Sequence, residues 1–205
     1  MSTHPQSYFN HRNISTPNKE AIAVPMEPDN LFRISWLHAM DEHGETPMSR
    51  AVKCGHRGLL EIIVEQSDRD SDARPKNDTA LQRAAAWGLL EIIRKKVTEQ
   101  GADINERDDR GETPLHKASR MGQFNAVREL TRLGADLDAG DTLGLRPLHW
   151  AAVNGRQDIA RLLLHHKANP NARERIAGGL TPLALAKLLG RDDFAECLAE
   201  YGGTW

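Results

Sequence analysis

The residues of this chain that could do chemistry are its nine histidines and two cysteines, as metal ligands or as an activated thiol. The run Lys53-Cys54-Gly55-His56 has the outward form of a thiolate site, with a cysteine beside a cation and a histidine. Adjacency along a chain does not set an imidazole against a sulfur, and a nucleophile needs its base within hydrogen-bond reach. Cys54 therefore reads as the end of a helix, and Cys197, on an apolar stripe, as a core residue. His4, His11, His38 and His43 have no cysteine or carboxylate at the spacing that closes a tetrahedral site. No catalytic residue, no metal and no cofactor is expected. The sequence contains no GxGxxG or GxxxxGK[ST] phosphate loop and no EF-hand loop. Asn13-Ile14-Ser15 and Asn77-Asp78-Thr79 match the glycosylation triplet, a pattern too cheap to carry weight alone.

Composition narrows the remaining classes. The 205 residues are 39% hydrophobic and 27% charged, as in a globular domain, with 5% aromatic. Lys and Arg number 27 against 29 Asp and Glu, a net charge of -2, so no large basic field draws in nucleic acid. No stretch approaches the roughly 20 apolar residues of a membrane helix, and the N-terminus lacks the basic-then-apolar order of a signal peptide. Two distant cysteines make no disulfide framework. The expected setting is intracellular, the cytoplasm first and the nucleus if the source is eukaryotic, with no membrane insertion.

The elements that would position any site follow from a repeat. A tetrapeptide recurs as Thr46-Pro47-Met48-Ser49, Thr79-Ala80-Leu81-Gln82, Thr113-Pro114-Leu115-His116, Arg146-Pro147-Leu148-His149 and Thr181-Pro182-Leu183-Ala184, at spacings of 33, 34, 33 and 35. Each copy is a helix start: Thr caps the first turn, and Pro at the first helical position loses no intrahelical bond. Small residues follow, Ala118-Ser119 and Ala151-Ala152, and then a helix-ending Gly122 or Gly155. A second helix is marked by apolar residues one turn apart, such as Phe124, Val127 and Leu130, or Ile159, Leu162 and Leu163. It closes in Gly101-Ala102-Asp103, Gly134-Ala135-Asp136 or the looser Lys167-Ala168-Asn169, ahead of a turn rich in Asp and Gly.

These residues resemble the ankyrin-repeat family, most closely in RDDRGETPLHKASRMGQFNAVRELTRLGADLDA and DTLGLRPLHWAAVNGRQDIARLLLHHKANPNA. The resemblance covers roughly residues 41 to 203. It implies an all-α solenoid of about five helix-turn-helix repeats with projecting β-turn fingers, near 41-73, 74-107, 108-140, 141-173 and 174-205. Residues 29-40 would form a degenerate cap and 1-28 a disordered tail. The resemblance also implies that His116 and His149 are structural, bridging their own motif and the backbone of a neighbouring finger. Asn105 and Asn171 fall on a finger asparagine that some members hydroxylate, with a structural use as the default. Departures are Ser49 and Gln82 in place of His, the polar run from Ser67 to Asp78, which is expected to be the softest junction, and two extra residues in the last finger. The two LLEII copies, at 59 and 89, are 30 apart where their anchors are 33 apart, which leaves the register of the first repeat open.

The family implies a protein-binding surface on the fingers and on the exposed face of each first helix. There the candidate residues are Arg83, Trp87, Lys117, Arg120, Met121, Leu143, Leu145, Trp150 and Val153, with the aromatic and Met side chains as anchors beside Arg120. The plainer alternative is packing: Trp150 half buried between helices, Leu145 stapling a finger, and Arg50, Arg83 and Lys117 pairing with Glu45, Asp78 and Glu112 as a solvated ladder of little energetic worth. The function expected is a protein interaction module, adaptor or inhibitor-like, acting as a monomer on an unnamed protein partner. The rival readings are a scaffold subunit and, from another class, a cryptic enzyme or metal protein.

Overall fold

The computed structural model describes residues 47–67, 79–175 and 179–205. The expected tail (1–28), the cap (29–40), His4, His11, His38, His43, Glu45, Asn77, Asp78 and most of the polar junction after Ser67 lie outside them. Among the described residues ten α-helices fall into five hairpins. The first helices are α1 (Pro47–Cys54), α3 (Ala80–Trp87), α5 (Pro114–Met121), α7 (Pro147–Val153) and α9 (Pro182–Leu188). Their partners are α2 (Arg57–Ser67), α4 (Leu90–Arg94), α6 (Phe124–Arg132), α8 (Gln157–His165) and α10 (Asp192–Glu200).

The starts of these helices follow the repeated tetrapeptide. Thr79, Thr113 and Thr181 sit at the cap position with extended backbone. The hydroxyls of Thr79 and Thr181 accept from the amides of Gln82 and Ala184, both at 3.2 Å, which satisfies one of the otherwise open first-turn donors. Arg146 has no acceptor, so α7 keeps only the reciprocal half of the box, in which the Arg146 amide donates to His149 Nδ1 at 3.1 Å. The first helices end where a left-handed residue is required; at Gly122, φ is +75°.

Helices this short do not hold by themselves in water. They are held by one continuous apolar cluster that runs from Ala51 through Leu81, Ile93, Leu115, Leu130, Leu148 and Ile159 to Leu198. Each fully buried Leu or Ile contributes roughly 1.5–3 kcal/mol. Pairs of small residues, Ala84-Ala85, Ala118-Ser119 and Ala151-Ala152, are buried between first helices and let α3, α5, α7 and α9 pack in a row; α4, α6, α8 and α10 form a second row behind them. The second row is also tied by charge: Glu129 of α6 takes Arg94 of α4 at 2.9 Å and Arg132 at 2.7 Å. These two guanidiniums pull the Glu129 carboxyl down to about 2. The first hairpin joins the stack through α2 against α3.

The glycines resolve the register. Gly55 and Gly88 both sit at left-handed φ, +66° and +69°, and are 33 apart, as are the starts of α2 and α4. Leu60 therefore corresponds to Ile93, and both are buried; the repeated LLEII is a coincidence of letters shifted by three positions. The 34-residue spacing has a local cause as well. Beyond Arg94 the helix continues as a π-turn over Lys95–Glu99, which takes up one residue more than the matching stretch in α6 or α8. The chain returns to phase at Gly101, 33 residues before Gly134.

Candidate functional site

Among the described residues, each of the three fingers is built around one buried carboxylate. Asp108 Oδ1 accepts from the amides of Arg110 and Glu112 at 2.9 and 2.8 Å, and Asp141 Oδ1 accepts from Leu143 and Leu145 at 2.8 and 2.9 Å. In the longer last finger the residue is Glu174, whose Oε1 accepts from Gly179 and Leu180 at 3.2 and 3.0 Å. The extra methylene lets the carboxylate reach across the larger turn. Successive fingers pair edge to edge, Thr142 N to Arg110 O at 2.9 Å and Arg175 N to Leu143 O at 2.8 Å. At Gly144, φ is +79° and a Cβ would lie 3.0 Å from the Arg175 amide nitrogen, so the pairing requires glycine there.

The second oxygens of Asp108 and Asp141 face the first helix. Asp108 Oδ2 and Glu112 Oε2 both lie 2.6 Å from Lys117 Nζ. All three side chains are 5% exposed or less. The pairing of Lys117 with Glu112 exists, then, but it is buried rather than the solvated contact considered from sequence, and no ammonium surface is left for a partner to reach. One repeat on, Trp150 occupies the place of Lys117, and its indole Nε1 donates to Asp141 Oδ2 at 3.3 Å. Arg120 connects the two: its guanidinium lies 3.3 Å from Glu112 Oε1 and 5.3 Å from the Trp150 ring centroid, a cation–π contact.

The other sequence-named residues surround this network. Met121 is 46% and Leu143 43% exposed; the first follows Arg120 on α5, and the second is the finger residue whose amide Asp141 holds. Trp87 is half-buried against the core. Arg83, Leu145 and Val153 are also partly buried, and the Leu145 carbonyl accepts from the Asp141 amide and from a histidine. Leu188 and Leu189, on the first-helix face but not among the sequence-named anchors, are 69% and 50% exposed at the end of α9. Their signal was present: they hold the two positions before the helix-ending glycine that Arg120 and Met121 hold in α5.

The histidines are structural, as the resemblance implied. His116 Nδ1 accepts from Thr113 N at 3.0 Å, and its Nε2 donates to Leu145 O at 3.0 Å in the next finger. His149 does the same with Arg146 N and Leu180 O. Burial holds both imidazoles below the usual histidine range. Gln82 is not a defective copy. Its Oε1 accepts from Thr79 N at 3.0 Å, and its Nε2 donates to the carbonyls of Glu106 and Glu112 at 3.2 and 2.9 Å. The finger asparagines also join repeats, Asn105 Oδ1 accepting from Asp136 N at 2.9 Å and Asn171 Oδ1 from Thr204 N at 2.7 Å. Cys54 is exposed at the end of α1, whereas Cys197 is buried in α10. Among the described residues no three His, Cys, Asp or Glu side chains converge as a metal site, and no helix is long and apolar enough to cross a membrane.

A family model for ankyrin repeats, in three copies, matches residues 90–174. Residues 90–174 are ankyrin repeats. The ankyrin stretch is similar to that of alpha-latrotoxin-Lhe1a of Latrodectus hesperus, 30% identical over 94 residues, which is 45% of this chain and 7% of the toxin. It is also similar to neurogenic locus notch homolog protein 1 of Homo sapiens, 30% identical over 87 residues, 42% of this chain and 3% of the human protein. The chain thus spans under a tenth of the length of these relatives. The fold is an all-α ankyrin solenoid, and ankyrin repeats are generally protein–protein interaction modules and generally non-enzymatic.

Proposed function

We propose that this protein is an adaptor or inhibitor-like module that holds a protein partner against the α5–α7 face and the finger between them. The reading is carried by the Arg120–Trp150–Asp141 bridge with exposed Met121 and Leu143 at its two ends. Aromatic, Met and Arg side chains are enriched at the energetic centre of interfaces. Here the Trp and Arg are locked by intramolecular bonds before any partner arrives, so little side-chain entropy is lost on docking. Val153 at the end of α7, Trp87 on the neighbouring α3, and Leu188 and Leu189 at the end of α9 extend the surface toward both ends of the row. The module is proposed to act as a monomer inside the cell, a setting in which both cysteines stay free.

The test is the double variant Met121→Glu, Leu143→Glu. Both side chains project, so circular dichroism and melting should match the parent. Proteins captured from native-host lysate by the parent and competed by unlabelled protein should be lost by the variant. Capture of the same set by a folded variant overturns the proposal.

A further inference from the structure

We propose that the outer edge of the fingers carries a second recognition site, a groove for an acidic peptide segment. Two successive fingers and the start of a third enclose a cleft of about 550 Å³ lined by Arg107, Arg146, Arg173 and Arg175 and by two carboxylates, Asp138 and Asp141. Both carboxylates have other work. Asp141 gives one oxygen to two finger amides and the other to Trp150, and Asp138 gives Oδ1 to Arg146 at 3.0 Å and to the Asn169 amide at 3.0 Å. The arginines are less fully used. Arg107 spends Nη1 on the carbonyls of Gly111 and Gly140, and Arg173 spends its Nη atoms on the carbonyls of Gly179 and Trp205. The three glycine carbonyls are neutral acceptors that orient a guanidinium without cancelling its charge. The Arg175 guanidinium is exposed and makes no hydrogen bond or ion pair among the described residues, while its own amide is fixed to Leu143 O.

The result is a row of oriented cations on a rigid edge, in a chain whose net charge is -2. Each guanidinium offers five N–H donors, and several remain here for carboxylate oxygens. The cleft is in the size range of sites that enclose a small organic ligand, larger than one inorganic ion fills. Among the described residues no aromatic ring lines it for base stacking. Asp138 interrupts the positive row, which disfavours a uniformly charged phosphate backbone but accommodates separate carboxylates. An extended segment bearing two or more Glu or Asp residues meets these conditions. This site shares Asp141 with the Met121–Leu143 surface, where that carboxylate is held by two finger amides and Trp150; none of its arginines belongs to that surface.

The probes are a fluorescein-labelled peptide alternating Glu and Gly, its Gln-for-Glu counterpart, and a single-stranded oligonucleotide, followed by anisotropy. The acidic peptide should bind, weaken as salt is raised, and lose about tenfold or more in affinity with Arg175→Glu. Arg175→Gln should give an intermediate loss, and it carries the test if the Glu variant melts early. The single variant Met121→Glu, outside the cleft lining, should bind the peptide unchanged, which separates this site from the other. Absence of binding, equal binding of the Gln peptide, indifference to both Arg175 variants, or preference for the oligonucleotide overturns the proposal.

Discussion

Lys117→Met should destabilise the array far more than a surface charge deletion would. The parent ammonium lies 2.6 Å from two carboxylates whose side chains are 1% and 3% exposed, and removing one member of a buried ion pair costs about 3–5 kcal/mol. Two features place this case at the lower end. Asp108 keeps its two amide bonds on Oδ1, and Glu112 keeps Arg120 at 3.3 Å. The expected loss of about 3 kcal/mol corresponds, for urea slopes of roughly 1–3 kcal/mol/M, to a midpoint shift of about 1–3 M. Urea unfolding followed by circular dichroism measures it. The next repeat supplies a control, because there Leu145 and Trp150 stand where Glu112 and Lys117 stand here, and the indole donates to the finger carboxylate. Glu112→Leu with Lys117→Trp transplants that arrangement and should recover at least half of the loss. A single variant that loses less than about 1 kcal/mol, or a double variant as unstable as the single, would refute the claim that the ammonium holds the finger.

Two further outcomes are expected. His116 and His149 are kept neutral by burial, with folded-state values below the ordinary histidine value of about 6.5; their contribution is fully present above that value and is lost as pH falls below it toward the lowered folded value. His116→Gln should flatten this slope while preserving the fold, since Gln82 already makes the same bonds; a parent whose urea midpoint is level between about pH 7.5 and about pH 5 contradicts the assignment. Lys167 sits at φ +73° where the preceding repeats use Gly134 and Gly101, so Lys167→Gly should raise stability by about 0.5–1 kcal/mol, the relief of left-handed strain less the added chain entropy. Thermal melting reads the shift, and an unchanged or lower midpoint would count against it.

The local devices of this fold were legible because they act over a few residues. Thr113-Pro114 at a helix start and Gly122 at its end state their own geometry, and spacing alone recovered the hairpins. What stayed hidden depends on contacts between repeats. Gln82 read as a departure from histidine because its equivalence rests on the carbonyl of Glu112, 30 residues away. Lys117 read as a solvent-facing cation because its burial depends on Asp108 folding back from the finger. The 34-residue spacing was visible, but only backbone hydrogen bonding places the additional residue in the π-turn after Arg94. The positions of Leu188 and Leu189 before the helix-ending glycine were legible, but not their rank as anchors, because apolar letters near a helix end read equally well as core.

The joints between repeats pass from side chain to main chain. Gln82, His116 and His149 reach carbonyl oxygens of the following finger, and Asn105, Asp138 and Asn171 take amides of the following repeat. Every residue type except proline supplies both main-chain groups, so the receiving half of each joint places almost no demand on sequence. Finger residues such as Arg110, Thr142 and Leu143 are therefore free to vary without loosening the seam beneath them. A lineage could rewrite the partner-facing letters of this array one at a time while its mechanical continuity stays intact.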